Sequence, residues 1–290
     1  MNGIKTAALL ALLSSILMFG GQMAGGRSGM MIGLALAVAM NFFSYFFSEK
    51  IALSMSGAQP VTPESHGEIY ERIGPMTQRL VQKMGLPMPR LWVTPEQTPN
   101  AFATGRNPAH SSVAVTYGLL EMMNDRELEG VIAHELGHIY NRDILISSVA
   151  ATIGSAITQV GYMAYYFGGS RHSDEDEGGG GGGMIGGLVM MIVAPLAAGV
   201  IQMAISRTRE FGADAAAAKY TGSPDGLISA LGKLDTMGRR MPMEASPATA
   251  HMYIMKPFGG GGIASLFSTH PPTEARIAAL QALRQSRPSA

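Results

Sequence analysis

The chain has 290 residues, of which 47% are hydrophobic and only 14% are charged, against roughly 25% charged residues in ordinary globular proteins. Its 21 basic and 21 acidic side chains cancel, so no basic excess points to a nucleic-acid partner. There is no cysteine, which excludes disulfides, thiolate metal sites and cysteine nucleophiles.

Four apolar stretches are long enough to cross a bilayer, which takes about 20 residues in a helix. They cover residues 7–24, 30–47, 144–167 and 184–205. The first has an alternative interpretation as a cleaved signal peptide. The third and fourth stretches could alternatively be buried core helices. We predict four transmembrane helices.

Basic residues at the ends of the spans predict the orientation of the chain. Arg142 precedes the third span, and Arg207 and Arg209 follow the fourth. The turn between the third and fourth spans, residues 168–183, is acidic and glycine-rich, as expected of a flexible, solvated loop. By the positive-inside rule, both chain termini and the segment between the second and third spans face the cytoplasm.

The segment between the second and third spans has the pattern of a small mixed domain. Helical periodicity covers residues 65–84, and short strand patterns follow at residues 90–94, 100–105 and 112–116. Asn124 and Glu127 then have the spacing of a capping box at the start of a second helix. The fold class is therefore α+β, mainly helical, with a small β-sheet.

This second helix contains the sequence His134-Glu135-Leu136-Gly137-His138. Histidines four residues apart lie on one helical face, so both imidazoles can bind one ion. Zinc lowers the pKa of a bound water to about 7, and Glu135 can accept that water's proton. The alternative is a chance pair of surface histidines. The apolar neighbours of the motif argue against it, because they predict a buried helix whose polar side chains need partners.

A catalytic zinc needs a third protein ligand and one open position. The third histidine of metzincins is absent downstream of the motif. If the third and fourth spans form a hairpin, the chain returns to the same membrane surface just before Glu210. We expect Glu210 to be the third ligand and Asp214, one turn later, to hydrogen-bond a ligand imidazole. The alternative is an exposed acidic helix face paired with Arg207 or Arg209.

Three sequence segments resemble the HtpX family of membrane zinc endopeptidases, which is related to the Ste24-type prenyl-protein proteases. They are HELGHIYNRD at residues 134–143, REFGAD at 209–214 and STHPPTEARI at 268–277. The order of spans is also similar. The resemblance implies one Zn²⁺ per chain on His134, His138 and Glu210, with Glu135 as the general base of a zincin-like domain. It also implies a bacterial inner-membrane protein, linked to stress response, whose cytoplasmic site degrades misfolded or damaged membrane proteins.

The resemblance implies further site residues. Asn100, Ala101 and Phe102 would begin an edge strand that binds extended substrate, although an ordinary strand start fits equally well. His270 is a candidate for stabilising the oxyanion, or else a cap for the following helix. His251 is a weaker candidate of the same kind.

The predicted organisation divides the chain into four parts. Residues 1–48 form two spans, 49–143 and 206–290 form the two pieces of the catalytic domain, and 144–205 form a hairpin of spans. The expected partners are the lipid bilayer and polypeptide substrates. The alternatives are a Ste24-like protease that processes one membrane substrate and an inactive scaffold stabilised by metal. A site-2-type protease would need the histidine motif inside a span, whereas here the motif precedes the third span.

Overall fold

The computed structural model describes residues 2–147, 149, 207–240 and 271–285. Most of the predicted third span, the whole of the fourth, and residues 168–183 lie outside them, as do His251 and His270. Within the described residues the protein is mainly helical, with one small mixed sheet. This confirms the coarse fold class.

Helix α1 (Asn2–Met55) consists of two arms that fold back on each other at Gly25 and Gly26, where Gly26 has a φ of 58°. The arms are in close contact, because a Cβ on Gly21 would overlap the carbonyl of Gly29. Further along, the Asn41 side-chain amide donates to Ser14 Oγ at 3.0 Å. Small residues and interhelical hydrogen bonds of this kind are typical of helix pairs in membranes.

The second arm of α1, Gly25–Met55, has a mean hydropathy of 1.8 over its most apolar window and is long enough to span a membrane. It contains the predicted second span. The first arm includes a shorter apolar helix, Thr6–Phe19, within the predicted first span. Among the described residues, only Gly25–Met55 meets the length and hydropathy of a membrane-crossing helix.

The sheet has the strand order β1-β2-β4-β3. Its strands are β1 (Gln59–Pro60), β2 (Arg90–Thr94), β3 (Ala101–Asn107) and β4 (His110–Thr116). Strands β2 and β4 are parallel, whereas β1 pairs with β2 and β3 pairs with β4 in antiparallel fashion. The three strands predicted from sequence are therefore present, with β3 at one edge of the sheet.

Six further helices complete the described fold. They are α2 (Gly67–Met84), α3 (Tyr117–Met122), α4 (Asp125–Tyr140), α5 (Arg207–Thr221), α6 (Asp225–Arg240) and α7 (Thr273–Gln285). Helix α4 begins at the predicted capping box: Asn124 Oδ1 accepts from the Glu127 amide and Glu127 Oε2 accepts from the Asn124 amide. Its side chains pack into the main core from several sides, as the apolar neighbours of its histidine motif predicted.

The opposite face of the sheet contacts the end of α1. Phe102 packs with Leu53 of α1, and Glu49 accepts a 2.6 Å hydrogen bond from Ser112 Oγ. The Arg106 guanidinium lies 5.4 Å from the centroid of the Phe46 ring. The sheet thus connects the apolar helix pair on one side to the histidine-bearing helix on the other.

Candidate metal centre

His134 and His138 lie one turn apart on α4, and their Nε2 atoms are 3.3 Å from each other. The two rings meet edge to face, with centroids 4.8 Å apart. His134 is fully buried, whereas His138 is slightly exposed. Both imidazoles therefore direct the same nitrogen to one point at the surface of α4.

Glu210 on α5 completes this convergence. Its two carboxylate oxygens lie 3.6 Å from His134 Nε2 and His138 Nε2 respectively. Ligands about 2.1 Å from a tetrahedral ion are about 3.4 Å apart, so these separations fit a zinc ion held by all three side chains. The structure therefore brings Glu210 together with the two histidines, in a group that could hold a metal ion.

Gly137 allows close contact between α4 and α5. A Cβ at this position would lie 3.0 Å from the backbone of Ala213 and 3.2 Å from its side chain. Alanines 213, 216, 217 and 218 of α5 are all buried. Small residues on both helices bring Glu210 to the histidines.

Two aspartates bind the other ring nitrogens. Asp214 Oδ1 lies 2.9 Å from His134 Nδ1. Asp143 Oδ2 lies 3.4 Å from His138 Nδ1, a contact that sequence reasoning missed. A carboxylate on Nδ1 fixes the tautomer that leaves Nε2 free to bind metal.

Arg276 is the second residue that sequence reasoning missed. This residue lies on α7. Its guanidinium is fully buried, and the Nη2 atom is 3.3 Å from His134 Nδ1. It also forms two hydrogen bonds with Asp214, at 2.7 and 2.9 Å. The available signal was its place one turn before Leu280, on the buried face of an amphipathic helix.

The buried charges shift the pKa values of this group. Burial and the charge of Arg276 lower the pKa of His134, but hydrogen bonds to Asp214 and Glu210 outweigh them and raise it to about 9. For Asp214, burial raises the pKa, but Arg276 and His134 outweigh it and lower it to about 2. The two carboxylates thus favour the protonated form of His134 in the metal-free protein.

Among the residues that the structure describes, six charged side chains surround the histidines. The carboxylates are those of Glu135, Asp143, Glu210 and Asp214, and the guanidiniums are those of Arg209 and Arg276. With neutral histidines, this set has a formal charge of minus two. A divalent cation brings it to neutrality, which removes the large cost of burying unbalanced charge.

Glu135 is buried next to the first ligand, and its charge contributes to raising the pKa of Arg276. It is thus close to the site on the same helix. Asn100, Ala101 and Phe102 are also buried: Ala101 packs into the core beside α4, whereas Phe102 faces α1. Because their side chains are covered, what β3 can offer a substrate is its backbone edge.

The chain is similar to several known proteins. The profile described as "Peptidase family M48" matches residues 70–284. A protein named "Protease HtpX homolog" from Desulforapulum autotrophicum is 52% identical over 280 residues, covering 97% of this chain and 89% of the relative. A second of that name, from Pelotomaculum thermopropionicum, is 47% identical over 283 residues, covering 98% and 99%. The crystal structure of S. mikatae Ste24p has a TM-score of 0.43 and 18% identity, covering 94% of this chain and 62% of that one.

Proposed function

The chain belongs to peptidase family M48 as an HtpX-type membrane zinc metalloprotease, and we propose that His134, His138 and Glu210 bind its zinc and that Glu135 is its general base. The convergence of two Nε2 atoms and one carboxylate, with separations of 3.3 to 3.6 Å, carries this assignment. The formal charge of minus two around them supports it.

Each residue of the site has a defined part in peptide hydrolysis. When bound, zinc polarises the scissile carbonyl and makes water a stronger nucleophile. Glu135 accepts a proton from the attacking water and delivers it to the leaving amide nitrogen. Asp214, backed by Arg276, holds His134 in its productive orientation. His270 stays a candidate for stabilising the oxyanion, since Arg276, six residues later, lies beside the metal ligands.

Strand β3 is our proposed binding site for the substrate backbone. The Thr116 amide donates to Asn100 O at 3.0 Å, so Asn100 and Phe102 direct their backbone groups toward β4. By alternation, Ala101 and Ala103 direct theirs to the outer edge. An extended peptide added there is bound mainly through its backbone, which gives broad specificity.

We place the catalytic domain on the cytoplasmic side of a bacterial inner membrane, with four spans in total. The docking of the α1 end on the sheet supports a site close to the bilayer. Ile146 and Val149 pack with Leu13 of α1, which supports a third span that begins just after α4. The soluble domain would then be zincin-like and assembled from residues 49–143 and 206–290.

These features suit degradation of damaged or misfolded membrane proteins, the substrate class that we propose. Such proteins expose extended segments near the membrane, where β3 lies, and backbone recognition suits varied sequences. In lipid vesicles, the enzyme should cleave a destabilised membrane protein faster than its stable parent. Equal cleavage rates for both would contradict this substrate class.

The absence of cysteine allows a direct test of orientation. Ser223 is exposed, so a Ser223→Cys variant carries a single thiol on the catalytic domain. A membrane-impermeant maleimide should label it in lysed cells but not in intact spheroplasts. Labelling in intact spheroplasts would place the domain on the outer side.

The catalytic assignment is tested by casein cleavage with detergent-purified, zinc-loaded protein. Glu135→Gln should lower the rate about 10²- to 10⁴-fold, which is the usual contribution of a general base, while zinc stays bound. Glu129→Gln is a matched control on α4, because Glu129 is partly exposed and forms a 3.6 Å ion pair with Arg79. Unchanged cleavage by Glu135→Gln would exclude Glu135 as the base.

Two alternatives keep the same metal site. A Ste24-like processing protease would cleave one membrane substrate and leave casein intact. A scaffold with an inactive site would bind zinc without cleaving any of these substrates.

A further inference from the structure

We propose that Asp143 is a positioning residue that orients His138, through a strained turn at Arg142, for zinc binding. This inference rests on the proposed function, because it assumes that His138 is a zinc ligand. Asp143 lies directly after the turn that ends α4, between the catalytic domain and the next apolar segment.

The turn that ends α4 brings Asp143 back to a residue five positions earlier. The Asp143 amide donates to His138 O at 2.8 Å, and the Arg142 amide donates to Ile139 O at 3.1 Å. This pair of bonds is a Schellman motif, which closes a helix by reversing the direction of the chain. The aspartate therefore lies beside the imidazole of His138 instead of continuing away from it.

Arg142 adopts the left-handed conformation that this motif requires, with a φ of 58°. Glycine is the usual residue at such a position, because a Cβ makes the conformation unfavourable. A strained residue persists only where its surroundings hold it, and such residues concentrate at functional sites. The strain at Arg142 is consistent with a functional role for this turn, which is to position Asp143.

The surroundings hold Asp143 on both sides. Ile144, the next residue, belongs to the catalytic core, and Ile146 packs with Leu13 of α1. Arg209, next to the ligand Glu210, lies close enough to interact electrostatically with Asp143. The carboxylate is buried, with Oδ2 at 3.4 Å from His138 Nδ1.

Each zinc-binding histidine thus contacts its own aspartate, and the two aspartates come from different parts of the fold. His134 receives Asp214 from α5, whereas His138 receives Asp143 from the turn that follows its own helix. Loss of a carboxylate that orients a metal-bound histidine typically weakens metal affinity 10- to 100-fold. Asp143 should therefore affect zinc binding and the geometry around the metal without contacting substrate.

The test measures zinc affinity of the full-length, metal-stripped protein in detergent by chelator competition. Asp143→Ala should weaken binding about 10- to 100-fold. Asp143→Asn, whose side-chain oxygen still accepts from Nδ1–H, should weaken it less. Asp125→Ala is the control, since Asp125 forms an exposed ion pair with Arg72 at the other end of α4. Wild-type affinity in Asp143→Ala would overturn the proposal.

A second readout separates positioning from general stability. Cobalt substituted for zinc should show a changed visible spectrum in Asp143→Ala, because the field around the metal depends on the orientation of His138. Arg142→Gly, which keeps the turn without strain, should retain the wild-type spectrum and affinity. If Asp143→Ala does not fold, Asp143→Leu decides, because its side chain has a similar size but cannot accept from Nδ1–H: wild-type affinity and spectrum in that variant would overturn the proposal.

His138→Ala distinguishes this inference from the proposed function. If His138→Ala loses zinc while the Asp143 variants keep wild-type affinity, only the role of Asp143 is wrong. If His138→Ala itself binds zinc like the wild type, the proposed metal site is wrong.

Discussion

Arg276 of α7 binds Asp214 of α5 through two buried hydrogen bonds, Nη2 to Oδ1 at 2.7 Å and Nε to Oδ2 at 2.9 Å. Asp214 in turn binds His134 of α4 at 2.9 Å. Three helices separated in sequence are thus joined at one metal ligand. Stability and metal binding should therefore depend on the same arginine.

Replacing this arginine should destabilise the fold. Arg276→Met leaves the Asp214 carboxylate buried without its guanidinium, which typically costs about 3 to 5 kcal/mol. Urea unfolding of the metal-free protein in detergent measures the change. Arg284→Met is the control on the same helix, because its ion pair with Asp225 is exposed and should be worth about 1 kcal/mol or less. Equal effects of the two substitutions would contradict the role of Arg276.

Zinc binding should release a proton from His134. The pKa of this imidazole is raised to about 9, so the metal-free protein holds the proton at pH 7, whereas the zinc-bound ligand must be neutral. Apparent affinity should rise roughly tenfold per pH unit up to about pH 9 and then level off. Calorimetry in buffers of different ionisation enthalpy counts the released protons. An affinity that does not change between pH 6.5 and 8.5 would contradict this expectation.

Glu127 should make stability depend on pH at the acidic end. Burial raises the pKa of this carboxyl, but hydrogen bonds from Lys233, Ser229 and the Asn124 amide outweigh it and lower the pKa. A lowered folded-state pKa means that the stabilisation is complete above the ordinary value of 4.5 and is lost as pH falls through the folded value.

The variant Glu127→Gln measures that contribution. It should be less stable than the wild type by about 1 to 3 kcal/mol at pH 7, since it loses charged hydrogen bonds. The difference should shrink as the pH is lowered below 4.5. Denaturant unfolding of both proteins at several pH values tests this. A difference that stays constant down to pH 3 would exclude the ionised carboxylate as its cause.

Gly137 should be essential for the third ligand. Valine there meets the Ala213 backbone, so α5 must move away and carry Glu210 from the histidines. We expect zinc affinity to fall at least about tenfold, within the range seen for perturbed metal sites. Gly232→Val is the control, because a Cβ at Gly232 meets nothing within 4 Å. Zinc affinity that is unaffected by Gly137→Val would show that the helix spacing does not set the site.

Local sequence signals predicted much of this fold. The bounds of β2 agree with the predicted strand, and the capping box at Asn124 starts α4 as expected. Such features depend on residues a few positions apart, whose interactions sequence spacing determines. The two-residue β1 and the short α3 gave no comparable signal, since they are too short to show a period.

The site itself was predictable only in part. His134 and His138 follow from helical spacing, and Glu210 follows from the expected return of the chain to the same membrane surface. Arg276 was not predicted, because its contact with Asp214 joins residues 62 positions apart. Asp143 was missed because a left-handed turn at an arginine, instead of a glycine, carries no sequence signal.

The central claim is that two histidines of α4 and one glutamate of α5 hold a single zinc ion. Its most direct test is the zinc content per chain of full-length protein, for the wild type and for Glu210→Ala, after dialysis against a weak chelator. The account predicts one zinc per wild-type chain and almost none in Glu210→Ala, with both proteins folded. A full equivalent of zinc retained by Glu210→Ala would contradict it.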